Sequence, residues 1–409
     1  MNKLWTRNFT ILTLGSFISA LGSAAAGIAF GIMIYRETGS PLALAFFTVS
    51  NIIPRMITGF LAGPFIDRHS RKKIVYTLDF TYTLLFLIIA GVLFSGFFNV
   101  FVFTAIAAFF GILDTIYQIA FMSMFPEVIP TGQHSRAYSI SSLIWPISAA
   151  AMAPIAAYMI ENFQYGVAML MVFNSVTFLI TACLETTIKL TEKLNQNPVK
   201  GLQFIEDLKE GFHYYKRERG ILGIGILFAC FSFVYAAHDL LTMPFFVSSS
   251  VYTLTHFGFI ITAASIGRVV GGFIHYFFTY PPKKRYIIAV SVYFIVEILN
   301  ATFLFLPYVM MLAISFLVGL LSVTSFNIRM SATQVYIPAH MRGRINSTQG
   351  FLWNIGAISG AIIIGFAAEY STIDYRFIMM FAAVLSLLAI FFIPIRMHDE
   401  FKKIYNAEV

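Results

Sequence analysis

An all-α membrane protein, with twelve transmembrane helices in two pseudo-symmetric six-helix bundles, is predicted for this chain by three observations. Its apolar stretches have spanning length, its lysines and arginines sort to one side, and residues recur at a fixed spacing. The hydrophobic fraction is 58% and the charged fraction 11%, against roughly 45–50% and 25% in soluble domains. Lipid is the solvent for such an excess of apolar surface. A spanning helix takes about 20 mostly apolar residues. Twelve such stretches can be drawn, at 9–35, 41–66, 74–96, 99–125, 136–161, 164–184, 220–250, 253–279, 286–306, 308–332, 345–368 and 373–395. The first reads as a span and not as a cleaved signal, because it is long and no small-residue cleavage site leads into a polar segment.

The basic residues test this count. With the N-terminus in the cytoplasm, 22 of the 27 Lys and Arg fall in inner segments. Two, Arg36 and Arg376, fall outside, and three, Arg55, Arg268 and Arg329, lie within spans. So strong a positive-inside bias places both termini in the cytoplasm, and the expected location is the cell membrane, in a bacterium. The net charge of +8 thus reflects topology, and no nucleic-acid partner is implied. The expected organisation is an N-terminal bundle at 1–184, a cytoplasmic linker at 185–219, and a C-terminal bundle with a short tail at 220–409. Within the linker, Phe204 to Phe212 reads as an amphipathic helix on the inner membrane face. Cys183 and Cys230 stand in apolar runs and fit neither a disulfide nor a metal pattern.

The two halves repeat. Ile129-Pro130, Arg136, Ser139, Trp145 and Glu161 recur 208 residues later as Ile337-Pro338, Arg344, Ser347, Trp353 and Glu369. Arg55, Gly59 and Phe60 recur 213 residues later as Arg268, Gly272 and Phe273. Duplicated six-helix halves, with substrate held near the midplane between them, are an architecture of secondary transporters.

The segment after the second stretch reads Gly63-Pro64-Phe65-Ile66-Asp67-Arg68-His69-Ser70-Arg71-Lys72-Lys73. It resembles the signature G-x-x-x-D-R-x-G-R-K/R of the major facilitator superfamily, with Ser70 at the second glycine. The Asp-Arg-His-x-Arg-Lys-Lys run and the Arg-Gly-Arg before the eleventh stretch resemble the macrolide-efflux and siderophore-exporter branch. The resemblance implies the twelve-helix major facilitator fold and a gating role for Gly63, Asp67, Arg68, Arg71 and Lys72. Asp67 would face the start of the eleventh stretch near Asn346 and Ser347, where a carboxylate gains about 0.3–1 kcal/mol from a helix N-terminus. Arg71 would reach Glu127, the two contacts latching the inner side; the alternative is a plain topology anchor. The matching loop, Pro281-Pro282-Lys283-Lys284-Arg285, lacks the aspartate. Ala149-x-x-x-Ala153-Pro154-Ile155-Ala156-Ala157 resembles the antiporter signature with alanines for glycines, small residues that admit close helix approach. An arginine that many proton-coupled exporters carry in the fourth span is missing from Ala108 to Asp114.

A lone charge at the bilayer centre costs at least about 2.5–3.5 kcal/mol, so each one needs a partner or a task. Arg55 lies about 12 residues from the inner end of its span and Asp114 about 10, roughly 18 and 15 Å deep at 1.5 Å per residue. They can pair, and a carboxylate that exchanges an arginine for a proton couples transport to pH. Asp239, after His238 in the seventh stretch, is a second proton-coupling candidate, since histidine titrates near neutrality. Arg268 and Glu297 lie at similar depth, Glu297 reading as a structural pair and Arg268 as a cavity residue. Asp79 and Arg329 read as gating or snorkelling charges near inner ends. With Arg55 and Arg268, Trp145 and Trp353 are the substrate-cavity candidates, their rings suiting an amphipathic ligand. For each of these, ordinary structural pairing or packing is the competing reading.

No phosphate-binding loop, nucleophile elbow or His/Cys metal cluster appears, so neither catalytic residues nor a metal or cofactor are expected. The reading is a monomeric secondary transporter, not an enzyme, that exports an amphipathic small molecule, a drug, macrolide-like compound or siderophore-like metabolite, with protons as the coupling ion. The alternatives are an importer, facilitator or lysolipid flippase of the same fold, or a non-transporting sensor or assembly subunit.

Overall fold

The computed structural model describes residues 4–190, 203–278 and 280–407. Among them every element is helical: α1 (Arg7–Thr38), α2 (Pro41–Arg68), α3 (Arg71–Phe94), α4 (Val100–Met124), α5 (His134–Asn162), α6 (Gly166–Thr186), α7 (Gln203–Arg217), α8 (Arg219–Val247), α9 (Leu254–Phe277), α10 (Arg285–Thr302), α11 (Tyr308–Tyr336), α12 (Arg342–Tyr370), α13 (Tyr375–Ile390) and α14 (His398–Tyr405). Twelve are long and apolar enough to cross a membrane, all but α7 and α14. They coincide with the twelve stretches apart from shifts at their ends, as at α11, which runs to Tyr336 where the sequence suggested 332. Polar Gln334 and its neighbours ended the apolar count early while the backbone stayed helical. A single π-helical turn, Phe391–Ile395, extends α13 at Pro394, where the missing proline N–H forbids the ordinary ladder.

The chain divides into two compact units. The first comprises Met1–Gly39, Ser50–Gly201 and Ser249–Thr262, and the second Ser40–Val49, Leu202–Ser248 and Ala263–Val409. Each six-helix half therefore takes in a short segment of the other: the start of α9 belongs with the first unit, and the start of α2 with the second. The turn between α1 and α2 is made at Gly39, whose φ of 65° lies in the left-handed region that a glycine enters without steric cost.

Inside the first unit, α1 packs on α5 and α6, and α3 on α6. Close approach rests on small residues. A Cβ at Gly22 would lie 2.1 Å from the Thr177 hydroxyl oxygen. Inside the second, α8 packs on α12 through Gly356, where a Cβ would lie 2.1 Å from the Ala229 carbonyl oxygen. The duplication is visible in these contacts. A Cβ on Gly111 of α4 would meet the Asn51 carbonyl of α2 at 2.2 Å, and one on Gly319 of α11 would meet the Ala264 carbonyl of α9 at 2.1 Å. Gly111 and Gly319 are 208 residues apart and Asn51 and Ala264 are 213 apart, the two spacings of the sequence repeat.

Residues 191–202 of the expected linker lie outside the described residues. Its amphipathic stretch falls on α7, where Glu210 pairs with Arg344 and Tyr215 is buried. The stretch after α13, read as a short tail, instead forms α14, with Phe401, Ile404 and Tyr405 at 0%, 1% and 0% exposure. It docks on Gly220 and Gly223 of α8, and Tyr405 shares a hydroxyl–hydroxyl hydrogen bond of 2.9 Å with Tyr293.

Candidate functional site

Charge in an apolar helix is positioned by its neighbours' backbones. In the first unit, Gly111 lets α4 lie directly on α2. Asn51 Nδ2 then donates to the Ala107 carbonyl at 3.0 Å, and Thr115 Oγ1 to the Arg55 carbonyl at 3.1 Å. This contact sets Arg55 and Asp114 at one level. Asp114 Oδ1 accepts a 2.5 Å hydrogen bond from Tyr82 of α3, while Arg55 acts on it through its charge. Arg55 is exposed and Asp114 half-buried. The expected pair is thus a triad, with the phenol as the direct donor. Nothing in the sequence marks Tyr82 among twenty tyrosines except its place one turn after Asp79.

The second unit holds a related cluster. Arg268 of α9 acts electrostatically on Asp239, His238 and Tyr235 of α8. Asp239 and Tyr235 keep exposed surface, whereas His238 is half-buried, its ring 5.3 Å from that of Phe303. Trp145 and Trp353 are 57% and 38% exposed, so neither ring is consumed in the packing of its own unit.

Two readings of intramembrane charge are corrected. Glu297 does not pair with Arg268. It is 5% exposed in α10, where Ser386 and Asn300, and among the described residues no arginine, act on it. Asp79 is no snorkelling charge: it is 0% exposed, beside Glu185 of α6 at 1%. Arg329 stacks over Phe228, 4.1 Å from the ring centroid. Sequence periodicity could not assign these faces, because a lipid-solvated helix is apolar on its outer face as well as its inner one.

At the Lys/Arg-rich end, Arg71 Nη1 donates to Glu127 Oε1 at 2.5 Å, and its Nη2 lies 3.6 Å from Asp67 Oδ1. Lys72 donates to the Thr186 carbonyl at 2.9 Å. Arg68 closes the last turn of α2, and a Cβ at Gly63 would touch nothing within 4 Å. Ser70, at the position of a glycine in the signature, accepts from the Lys73 N–H at 3.2 Å and so caps α3, a role of serine at helix starts.

At the opposite end stands a pair of contacts that sequence reasoning missed. Glu161, ending α5, accepts from the N–H groups of Leu254 and Thr255 at 3.4 and 3.2 Å and from Thr255 Oγ1 at 2.7 Å. Glu369, ending α12, accepts from the Leu42 N–H at 3.4 Å and Ser40 Oγ at 2.6 Å. The glutamates are 208 residues apart, and Leu42 and Thr255 are 213 apart, so one latch occurs twice. The alanine-substituted signature lies below the first copy. Ala153, Ala156 and Ala157 are at 0% exposure, a Cβ on Gly258 would meet Pro154 at 2.6 Å, and Thr262 Oγ1 donates to the Ala150 carbonyl at 2.8 Å.

The profile of the Major Facilitator Superfamily matches residues 12–361. The chain belongs to the Major Facilitator Superfamily. Superfamily membership makes it a multi-pass membrane transporter of small molecules, not an enzyme. It is 21% identical over 387 residues to Macrolide efflux protein A of Streptococcus pyogenes, covering 92% of this chain and 93% of that one. Among solved structures it is similar to a mutant of the nucleoside transporter NupG, with TM-score 0.68, 15% identity and coverage of 94% and 98%. A D-xylose-proton symporter matches with TM-score 0.68, 13% identity and coverage of 96% and 98%. A bacterial homologue of the iron transporter ferroportin, in an outward-facing state, matches with TM-score 0.62, 17% identity and coverage of 96% and 100%. At these identities the solved structures speak to the fold alone.

Proposed function

We propose that this transporter exports an amphipathic small molecule by alternating access, in exchange for protons. The observation that carries the reading is the Arg55–Asp114–Tyr82 triad, a carboxylate within a span that stands between a cation and a phenol. When Asp114 takes a proton its hold on Arg55 weakens, and the guanidinium is released toward an anionic or polar group of the ligand. Arg268 and Asp239 of the second unit offer the same exchange, and Trp145 and Trp353 supply rings for an apolar body. Export is favoured by the likeness to a macrolide efflux protein across nearly the whole chain.

Alternation needs each side to shut in turn. Arg71 with Glu127 and Asp67 serves the inner side. The duplicated Glu161 and Glu369 latches serve the outer side, each carboxylate bound to a helix N-terminus whose unpaired N–H groups favour negative charge. Uptake by the same fold is the second reading, favoured by the missing arginine between Ala108 and Asp114. The test is retention of a labelled macrolide or amphipathic dye by energised cells. Export lowers it on expression and Asp114→Asn restores it, whereas uptake raises it.

A further inference from the structure

Asp79 of α3 and Glu185 of α6 face one another inside the first unit, at 0% and 1% exposure. Each carboxyl is within hydrogen-bonding reach of the other. None of their four side-chain oxygens receives a hydrogen from any neighbour. The other titratable side chains facing them are the phenols of Tyr117, from α4, and Tyr82, from α3 itself. Among the described residues no basic group acts on either carboxyl. Lys72 donates to the carbonyl of Thr186, Arg71 is engaged by Glu127 and Asp67, and the charge of Arg55 falls on Tyr82 and Asp114.

Two ionised carboxylates side by side, buried and without a donor or a cation, are not a stable arrangement. A buried charge with no partner is neutralised in practice, and carboxyls that share a site ionise as a pair, one of them retaining its proton. A hydrogen held on one carboxyl gives the other a donor where no neighbour supplies one. We propose that Asp79 and Glu185 form a proton-binding site, one carboxyl donating its hydrogen to the other, distinct from the Arg55–Asp114 cluster. Its chemistry is one step: the carboxylic acid releases H⁺ and leaves two carboxylates, whose repulsion presses α3 and α6 apart. Tyr82 lies three residues beyond Asp79 on α3, about 4.5 Å along the axis, and carries Asp114 on its hydroxyl. A change at the α3–α6 interface is thereby transmitted to the cavity cluster. The proposal deepens the proton-exchange reading by naming a second site for the coupling ion.

Infrared difference spectroscopy on the full-length protein in lipid bilayers tests it. The probe is the C=O stretch of a protonated carboxyl, identified by its shift in heavy water. The band is expected at neutral pH in the wild type, retained in Asp114→Asn, and lost in the double variant Asp79→Asn with Glu185→Gln. The two amides in that variant can hydrogen-bond to each other, which preserves the packing. Should the double variant fail to fold, Glu185→Gln alone still displaces the band. A wild-type spectrum without the band, or a band unchanged in the variants, overturns the proposal. So does a band abolished by sodium or magnesium at fixed pH, which would make the pair a metal-cation site. Transport that ignores the proton gradient while the band behaves as expected would defeat the exchange reading and leave the site standing.

Discussion

Gly111 shows how much one missing atom contributes here. A Cβ at that position would lie 2.2 Å from the Asn51 carbonyl oxygen and 3.4 Å from the Arg55 N, so any side chain drives α4 away from α2. Gly111→Leu should destabilise the protein by about 1–3 kcal/mol, as overpacking does. It should also separate Asp114 from Arg55, so that thermal unfolding in detergent and substrate export fall together. Tyr82→Phe removes only the hydroxyl on Asp114. A hydrogen bond to a charged group contributes roughly 1.5–3 kcal/mol, and the variant should lose export at unchanged expression. The charged members of this cluster were legible because a charge stands out in an apolar span and its depth follows from counting residues. Their phenolic partner, and the meeting of Asp79 with Glu185, were not. Both depend on the rotation of α3 about its axis, and a helix apolar all round carries little record of that rotation in its sequence.

At the scale of elements, the two ends of the helices are held differently. The basic signature uses side chains that meet each other, and the glutamate latches use carboxylates that meet helix N-termini. Glu161→Gln and Glu369→Gln should each weaken one outer latch by about 1 kcal/mol, a factor of roughly five in the population of the opened outer side. The distance distribution between spin labels on the outer ends of α2 and α12 checks this for Glu369, broadening toward longer values in the variant. The repeat already contained both glutamates at matched positions, but capping depends on where the chain re-enters the next helix, which spacing alone does not encode. The start of α13 gives a pH-dependent case. Asp374 accepts from the Arg376 N–H at 2.9 Å and pairs with its guanidinium, which holds its carboxyl below the ordinary value of 3.8. Its contribution to stability is therefore fully present above that value and fades as pH falls through the lowered one. Both groups are 41% exposed, so Asp374→Ala should cost under about 1 kcal/mol. The difference in unfolding temperature should hold steady at neutral pH and shrink in acid. Helix α14 was missed because eight residues carry too short a pattern to separate a docked helix from a polar tail.

For the whole molecule, the legible features were those that duplication and lipid impose together: twelve spans, and spacings of 208 and 213 that reappear in the contacts of Gly111 and Gly319 and in both glutamate latches. The exchange of helix starts between the two units was not legible, since it is a property of which helix ends pack together and no local pattern records it. That exchange places Glu161 with the start of α9 in the first unit and Glu369 with the start of α2 in the second, so each unit holds one glutamate latch. Exchange of substrate for protons through Asp114 governs the whole cycle proposed for this transporter. Its most direct measurement uses inside-out vesicles with an acid interior and a pH-sensitive dye inside, to which macrolides, amphipathic dyes or catecholates are added. A transported compound should make the lumen less acid, and this response should disappear in Asp114→Asn at equal protein content. A lumen that keeps its pH while the compound accumulates would contradict it, as would a response that Asp114→Asn leaves intact.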